Sequence, residues 1–340
     1  MRLNCCITNV FLSGDYGDSR MPSITNKIAL EEHYCAPGLE PSIKDVAFFD
    51  PDILRHHEVS LPEISENRLR IMDEGGIALS VLSQTAPGVQ SIRDVESAVE
   101  LARRANDFLH TRIAQSDRFR GFACLAMQDV GRACDELKRC VQELGYLGVL
   151  INGNTNGVYL DEPQFTPFWN TLEQLDVPLY LHPGLPPEHS LSFKGHPEME
   201  GALWSWTPET ATHMLRLVFA GVFDRHPSAR VILGHMGETL PYMLWRLDSR
   251  AAITTVGRSL SRPPSETLRD HVVVTTSGVC ADPALHCALE AMGDDAVLFS
   301  VDYPYEDTKI ASDWIEGAAI TEEQRSKICS GNAARVLRLG

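Results

Sequence analysis

Short apolar runs alternate with amphipathic stretches along most of this chain. Eight runs stand out: Lys27–Glu31, Ile77–Leu82, Gly121–Leu125, Gly148–Ile151, Val177–Leu181, Arg230–Leu233, Val272–Thr276 and Val297–Ser300. They are rich in Val, Ile and Leu and lack polar alternation, the pattern of strands buried on both faces of a parallel sheet. Helical spacing fills the gaps between them. It predicts helices over Leu61–Asp73, Ser91–Ile113, Asp135–Leu144, Pro163–Leu175, Thr207–Phe223, Leu240–Ala252, Ala284–Met292 and Glu322–Leu337. In Ser91–Ile113, for example, the apolar positions 98, 101, 105, 108 and 109 share one face. Ser60 and Glu63 have capping-box spacing at the start of Leu61–Asp73, and Gly75-Gly76 supplies its stop. Gly145 is placed to cap Asp135–Leu144.

Strand–helix alternation repeated eight times predicts an α/β fold, the (β/α)8 TIM barrel, as one domain over residues 24–340. An open doubly wound sheet is the competing arrangement. The count of eight favours the barrel, as does the lack of a G-x-G-x-x-G turn after the first run. Residues 1–20 precede the pattern, and Met21 stands just before it, so they read as a non-essential extension. Within them, Cys5–Leu12 is too short and too polar for a signal peptide. Two stretches exceed ordinary loop length, Ala36–Ser60 and Gly184–Trp206. Both follow strand ends, where barrel enzymes place lids and pocket walls.

Composition narrows the possible partners. The 340 residues are 44% hydrophobic, enough for a large core. A net charge of −16 argues against nucleic acid or an anionic membrane as partner. No apolar run approaches the roughly 18 residues of a membrane span. The nine cysteines are odd in number and include no C-x-x-C pair, which points to reduced thiols in the cytoplasm.

The candidate chemistry sits at the ends of the runs, which in a barrel face the active site. The first run ends Glu31-Glu32-His33, the fifth His182-Pro183, the sixth His235-Met236-Gly237-Glu238 and the eighth Asp302-Tyr303-Pro304. Glu31 and His33 are two apart and share a face in extended chain. With His182 and Asp302 they make a mixed nitrogen and oxygen set that suits one divalent ion, Zn²⁺ or Mn²⁺, with Mg²⁺ also accommodated. One or two positions would remain for water or substrate. No lysine lies near the end of the fourth run, the nearest being Lys138 and Lys194, so a bridging carbamylated lysine for a second metal is not expected there. Glu238 either orients the His235 imidazole or sits at the start of the next helix against its dipole. Arg246 either pairs with nearby Asp248 or forks onto a substrate carboxylate. The other histidines are expected in solvated or capping roles, with His189 and His196 kept open because they lie in the long loop after the fifth run.

These motifs, together with Thr85–Gln90, Gly221–Pro227 and Thr275–Gly278, resemble the γ-resorcylate and 2,3-dihydroxybenzoate decarboxylases. That branch of the amidohydrolase superfamily is related to aminocarboxymuconate semialdehyde decarboxylase. The resemblance runs from about residue 27 to 339. It implies a carboxy-lyase that removes CO₂ from an ortho-hydroxylated benzoate without oxidation, reversibly, with one divalent metal and no organic cofactor. It also implies a homo-oligomer, a dimer or tetramer. Carried across, Glu31, His33, His182 and Asp302 match metal ligands, and His235 with Glu238 matches a proton-handling pair beside Asp302. Arg246 matches a family arginine near the substrate, and the loosely aligned Val46–Asp50 loop offers Phe48 or Phe49 as a ring-packing, substrate-binding residue. The chain departs from the pattern after His182-Pro183, where Gly184-Leu185-Pro186 replaces Arg-Asn-Pro. Protonation of the ring carbon would turn the ring into an electron sink before CO₂ leaves. The metal would chelate the phenolate and carboxylate oxygens. Either Asp302, or His235 supported by Glu238, would deliver the proton. Two rival readings use the same residues: a mononuclear metal-dependent hydrolase of an ester, lactone or amide, and a non-catalytic barrel that retains a metal.

Overall fold

The computed structural model describes residues 25–41, 50–188 and 190–339. Eight parallel strands form the barrel wall: β1 (Lys27–Tyr34), β2 (Ile77–Gln84), β3 (Phe119–Gly121), β4 (Val149–Asn152), β5 (Leu179–His182), β6 (Val231–Leu233), β7 (Val272–Thr275) and β8 (Val297–Leu298). Continuous ladders join β1-β2-β3 and β4 through β8. Two seams close the circle. Between β3 and β4 the seam is backbone, with a parallel bridge from Ala123 to Val149 and a 2.9 Å bond from the Ala123 amide to the Gly148 carbonyl. Between β8 and β1 it is partly side chain. The Ser300 hydroxyl accepts from the Leu30 and Glu31 amides at 2.9 and 3.0 Å. Beyond it the Asp302 amide donates to the Glu31 carbonyl at 3.0 Å, and the His33 amide to the Tyr303 carbonyl at 2.7 Å.

The helices pack outside. They include α1 (Pro51–Ser60), α2 (Glu66–Glu74), α3 (Val95–Ile113), α4 (Val130–Gln142), α5 (Thr166–Leu175), α6 (Trp206–Phe219) and α7 (Leu240–Ala251), followed by α8 (Pro264–His271), α9 (Asp282–Met292) and α10 (Thr308–Gly317). Among the described residues no helix is long and apolar enough to cross a membrane. The core has two layers. Ile28, Leu30, Val81, Phe122, Leu150, Tyr180, Ile232 and Leu298, drawn from strands all round the wall, fill the barrel. A larger set packs between strands and helices.

Several boundaries differ from expectation for local reasons. The third ladder lies at Phe119–Gly121, with the residues after it meeting β4 only at the Ala123 bridge. The expected capping box at Ser60 does not form. Ser60 ends α1, a helix inside the long loop, started by Pro51 and by Asp50 accepting from the Asp52 amide. Glu63 accepts from the Arg68 amide instead, and α2 begins at Glu66. Gly221, at φ +66°, breaks the expected Thr207–Phe223 helix in two. Asp129 caps α4 by accepting from the Arg132 amide, so the helix starts at Val130, five residues before the expected Asp135.

Candidate metal centre and proton-transfer site

A bulge decides which β1 residues face the barrel interior. The β1–β2 register shifts between Ala29 and Glu32. Ile28 and Leu30 belong to the inner cluster, so simple alternation would send Glu32 inward next. The extra residue hands that face to Glu31 and His33. Glu32 instead accepts from the Val301 amide at 2.9 Å, with the buried Arg68 guanidinium over the Tyr303 ring nearby.

Glu31, His33, His182 and Asp302 converge. One ligand atom from each lies within 4.8 Å of the others, the one group of this kind among the described residues. His33 Nε2 is 3.1 Å from Asp302 Oδ1, and His182 Nε2 is 3.4 Å from Glu31 Oε1. Glu31 Oε1, His33 Nε2 and Asp302 Oδ1 are buried with no hydrogen-bond partner. Buried polar atoms are rarely left so, and here three point at one spot. His182 Nδ1 donates to the Pro183 carbonyl at 2.9 Å, which leaves Nε2 as a lone pair facing the group. Burial, reinforced by His33, pushes the His182 pKa well below its ordinary value, so it stays a neutral donor. Burial raises the Glu31 pKa. For Asp302 burial works the same way, but His235 and His33 outweigh it and hold that carboxyl below its usual range. A divalent cation fits this donor set: two carboxylate oxygens and two imidazole nitrogens, three of the four buried without a hydrogen-bond partner.

His235 stands beside the group. Its Nδ1 donates to Glu238 Oε1 at 2.8 Å, and its Nε2 is 3.4 Å from Asp302 Oδ2. Burial opposes charge on the imidazole, but Glu238, and after it Glu31, more than reverse this and raise its pKa well above the ordinary value. Glu238 is not a helix-start carboxylate. Residues 235–239 all have positive φ, between +50° and +77°, and α7 begins only at Leu240. Left-handed backbone over five residues, four of them with a Cβ, costs on the order of 1 kcal/mol each. This turn folds the buried Glu238 back onto the imidazole. Gly278 leaves the opposite side open, since a Cβ there would stand 3.0 Å from His235 Cδ2.

The remaining expectations fare differently. Arg246 is exposed on α7, about 9 Å along the helix from Leu240, and among the described residues it has no bond to the site. Asp248, its expected alternative partner, accepts from the Ser265 amide and hydroxyl. Phe48, Phe49, His189 and the 1–20 extension lie outside the described residues. His196 is exposed and paired with Glu198. Of the histidines expected in solvated or capping roles, His57, His213, His226 and His271 are not solvated, because all four are buried; His226 takes the other expected role, as the C-cap of Val222–Arg225. His57 matters most: its ring packs on Tyr305 at 4.7 Å, and Tyr305 packs on His33 at 5.6 Å. Sequence reasoning also missed Tyr180, Thr275 and Ser277, a buried hydroxyl group behind Glu31. Tyr180 shares strand parity with His182, a signal that was there to read.

The amidohydrolase family model matches residues 54–339. The chain is 44% identical over 330 residues to γ-resorcylate decarboxylase of Polaromonas sp., covering 93% of this chain and 99% of the relative. A crystal structure of 2,6-dihydroxybenzoate decarboxylase with 2,6-dihydroxybenzoate superposes with TM-score 0.87 at 42% identity, covering 93% of this chain and 99% of that one. The dihydroxybenzoic acid decarboxylase of Polaromonas sp. JS666, with bound manganese and the inhibitor 2-nitroresorcinol, superposes with TM-score 0.86 at 41% identity, covering 93% and 97%. The chain therefore belongs to the amidohydrolase family and, within it, to the branch of the γ-resorcylate decarboxylases.

Proposed function

We propose that this enzyme is a divalent-metal-dependent carboxy-lyase that removes CO₂ from an ortho-hydroxylated benzoate, with 2,6-dihydroxybenzoate as the first candidate. The observation that carries this is the union of four converging ligand residues with the His235–Glu238 pair, partly buried at His235 and fully at Glu238, on the same site. Glu31, His33, His182 and Asp302 would hold the ion, and the manganese of the Polaromonas relative supports Mn²⁺ ahead of Zn²⁺. When bound, such an ion supplies concentrated positive charge that attracts and orients an anionic aryl acid in a chain of net charge −16. Glu238 fixes the His235 tautomer, leaving Nε2–H aimed at Asp302 Oδ2. The proton held between those two atoms is the one delivered to the ring carbon that carries the carboxylate. That carbon becomes tetrahedral, the ring accepts the electron pair as CO₂ leaves, and aromaticity returns. Tyr305 packs against His33, and His57 packs against Tyr305, on one side of the ligand group.

Assembly belongs to the same proposal. Tyr242 and Trp245 on α7, with Ile253 beyond it, are large apolar side chains more than half exposed. Such a face is usual at a subunit interface, and we assign it to a homo-oligomer. Arg246 lies on the same helix. As a fork for the substrate carboxylate it would serve where a neighbouring subunit brings this face to a pocket. Seven cysteines, all free among the described residues, support a cytoplasmic location.

The test is a panel of 2,3-, 2,4- and 2,6-dihydroxybenzoate, salicylate and a carboxyvanillate. Each is assayed with Mn²⁺, Zn²⁺ or Mg²⁺, measuring CO₂ and phenol product. Metal-dependent release from at least one member is expected, and silence from all of them overturns the proposal. Hydrolysis of an ester or lactone without CO₂ would favour the hydrolase reading.

A further inference from the structure

Behind the metal group lies an unbroken line of hydroxyls. Tyr180 Oη bonds to Glu31 Oε2. It is 2.9 Å from Thr275 Oγ1, which also reaches Glu31 Oε2 at 3.4 Å. Thr275 Oγ1 is 2.9 Å from Ser277 Oγ, and Ser277 Oγ accepts from the His235 amide at 3.0 Å. Glu31, Tyr180, Thr275 and Ser277 are all fully buried, so no water competes for these bonds.

The two ends fix the direction of the whole line. A backbone amide only donates, and a carboxylate only accepts. Ser277 therefore takes the amide hydrogen and donates to Thr275. Thr275 donates onward to Tyr180 or Glu31, and Tyr180 donates to Glu31 Oε2. Every hydroxyl is used in one sense. Oε2 is thereby occupied, and Oε1, turned toward His182, is the carboxylate oxygen left without a partner. Gly234 serves the same arrangement, since a Cβ there would stand 2.6 Å from Oε2.

We propose that Tyr180, Thr275 and Ser277 are positioning residues that hold Glu31 with Oε1 free for the metal and tie it to the amide of His235. The reading of Glu31 as a metal ligand underlies this. The line couples two parts of the reaction: the carboxylate that holds the ion and the left-handed turn that aims the proton donor. The pull of aligned donors toward Oε2 sets the carboxylate's rotation, and the Ser277 bond sets the height of the turn.

The experiment titrates Mn²⁺ into metal-free full-length protein, reading free Mn²⁺ by electron paramagnetic resonance. Melting curves check folding, and kcat and KM are measured at saturating Mn²⁺. Tyr180→Phe and Thr275→Val should weaken Mn²⁺ binding by about 10- to 100-fold, the range for loss of a group that orients a ligand. Thr275→Ser, which keeps the hydroxyl, should recover most of the loss. Ser277→Ala acts at the far end of the line, so it should lower kcat by about 10-fold at saturating Mn²⁺ with KM nearly unchanged. If Tyr180→Phe fails to fold, the near-isosteric Thr275→Val carries the test. Mn²⁺ affinities of folded Tyr180→Phe and Thr275→Val within twofold of wild type would overturn the proposal while leaving the four-ligand site intact. Wild-type protein that binds no Mn²⁺ would overturn the four-ligand site first, and this inference with it.

Discussion

Strand β1 buries charged side chains at both ends, and the two ends are built to opposite rules. At the N-terminal end Lys27 is fully buried, and its ammonium is spoken for by the Gly75 carbonyl at 2.9 Å and by Glu316. At the C-terminal end Glu31 and His33 are just as buried, yet Glu31 Oε1 and His33 Nε2 have no hydrogen-bond partner and face only the other atoms of the ligand group. Burial is the same, so burial does not mark the site. What differs is satisfaction. A fully paired buried charge holds the barrel together. A set of unpaired ligand atoms is tolerable only where something else is meant to fill it. The division matches the general split of barrels into a stabilising N-terminal face and a reactive C-terminal face.

The sharpest way to break that comparison is to remove a ligand. His182→Ala deletes one nitrogen of the group without touching β1. It should abolish Mn²⁺ binding in the micromolar range and lower turnover by about 10³-fold or more. The metal-free protein should melt near wild type, because His182 is not needed to close the barrel. A variant that kept its metal and turnover would show that the convergence of orphan atoms is not the site. His235→Gln comes next. It should reduce kcat by about 10²- to 10³-fold while leaving Mn²⁺ affinity within a few-fold, since His235 lies beside the ligand group and not in it. Equal losses in metal binding and turnover would move His235 into the metal's own set.

At the other end of the strand the expected effect changes kind. Lys27→Met removes the ammonium and leaves the Gly75 carbonyl and Glu316 short of a partner. Glu316 is about a quarter exposed, so water recovers part of the loss. The cost in unfolding free energy should be about 2 kcal/mol. Urea denaturation should show it as a lower midpoint, with Mn²⁺ affinity and KM nearly unchanged. A large loss of metal binding in this variant would mean that the two ends of β1 are not separable.

Much of the site was legible because polar residues at the ends of apolar runs stand out against their background. Glu31, His33, His182, Asp302, His235 and Glu238 were all found that way, and the structure brings them together. The eight strands were legible for the same reason. Four features were not. The β1 bulge is set by pairing with β2, so no local pattern announces it. The run of positive φ from His235 to Thr239 is imposed by tertiary contacts, among them the Ser277 bond to the His235 amide. Tyr180 was hidden inside an apolar run, where an aromatic residue reads as core. It is core, and its hydroxyl also orders Glu31. The helix α1 escaped because a long loop was expected where Asp50 and Pro51 start a helix.

A single orphan atom does not make a site, and His213 shows the limit of the comparison. Its Nδ1 is also buried without a hydrogen-bond partner, but its Nε2 accepts from the Leu160 amide at 3.0 Å, and among the described residues it belongs to no group of three or more ligand side chains. Burial, and after it the Arg216 charge, push its pKa down to about 3. The sign follows from linkage. The unfolded chain takes up a proton at this residue as pH falls through about 6.5, and the folded chain does not until about 3. Neutral His213 therefore contributes stability above pH 6.5 that is lost as pH falls toward 3, at no more than about 1.4 kcal/mol per pH unit. His213→Gln keeps an acceptor for the Leu160 amide but has no proton to take up. Metal-free wild type should thus lose about 2 kcal/mol more than the variant between pH 6.5 and 4.5. Urea denaturation at each pH measures the difference, which cancels the other titrating groups common to both proteins. Parallel curves would mean that His213 is as free to charge in the fold as in water. Its burial would then be no guide to which histidines stay neutral, and the same inference for His182 would lose its support.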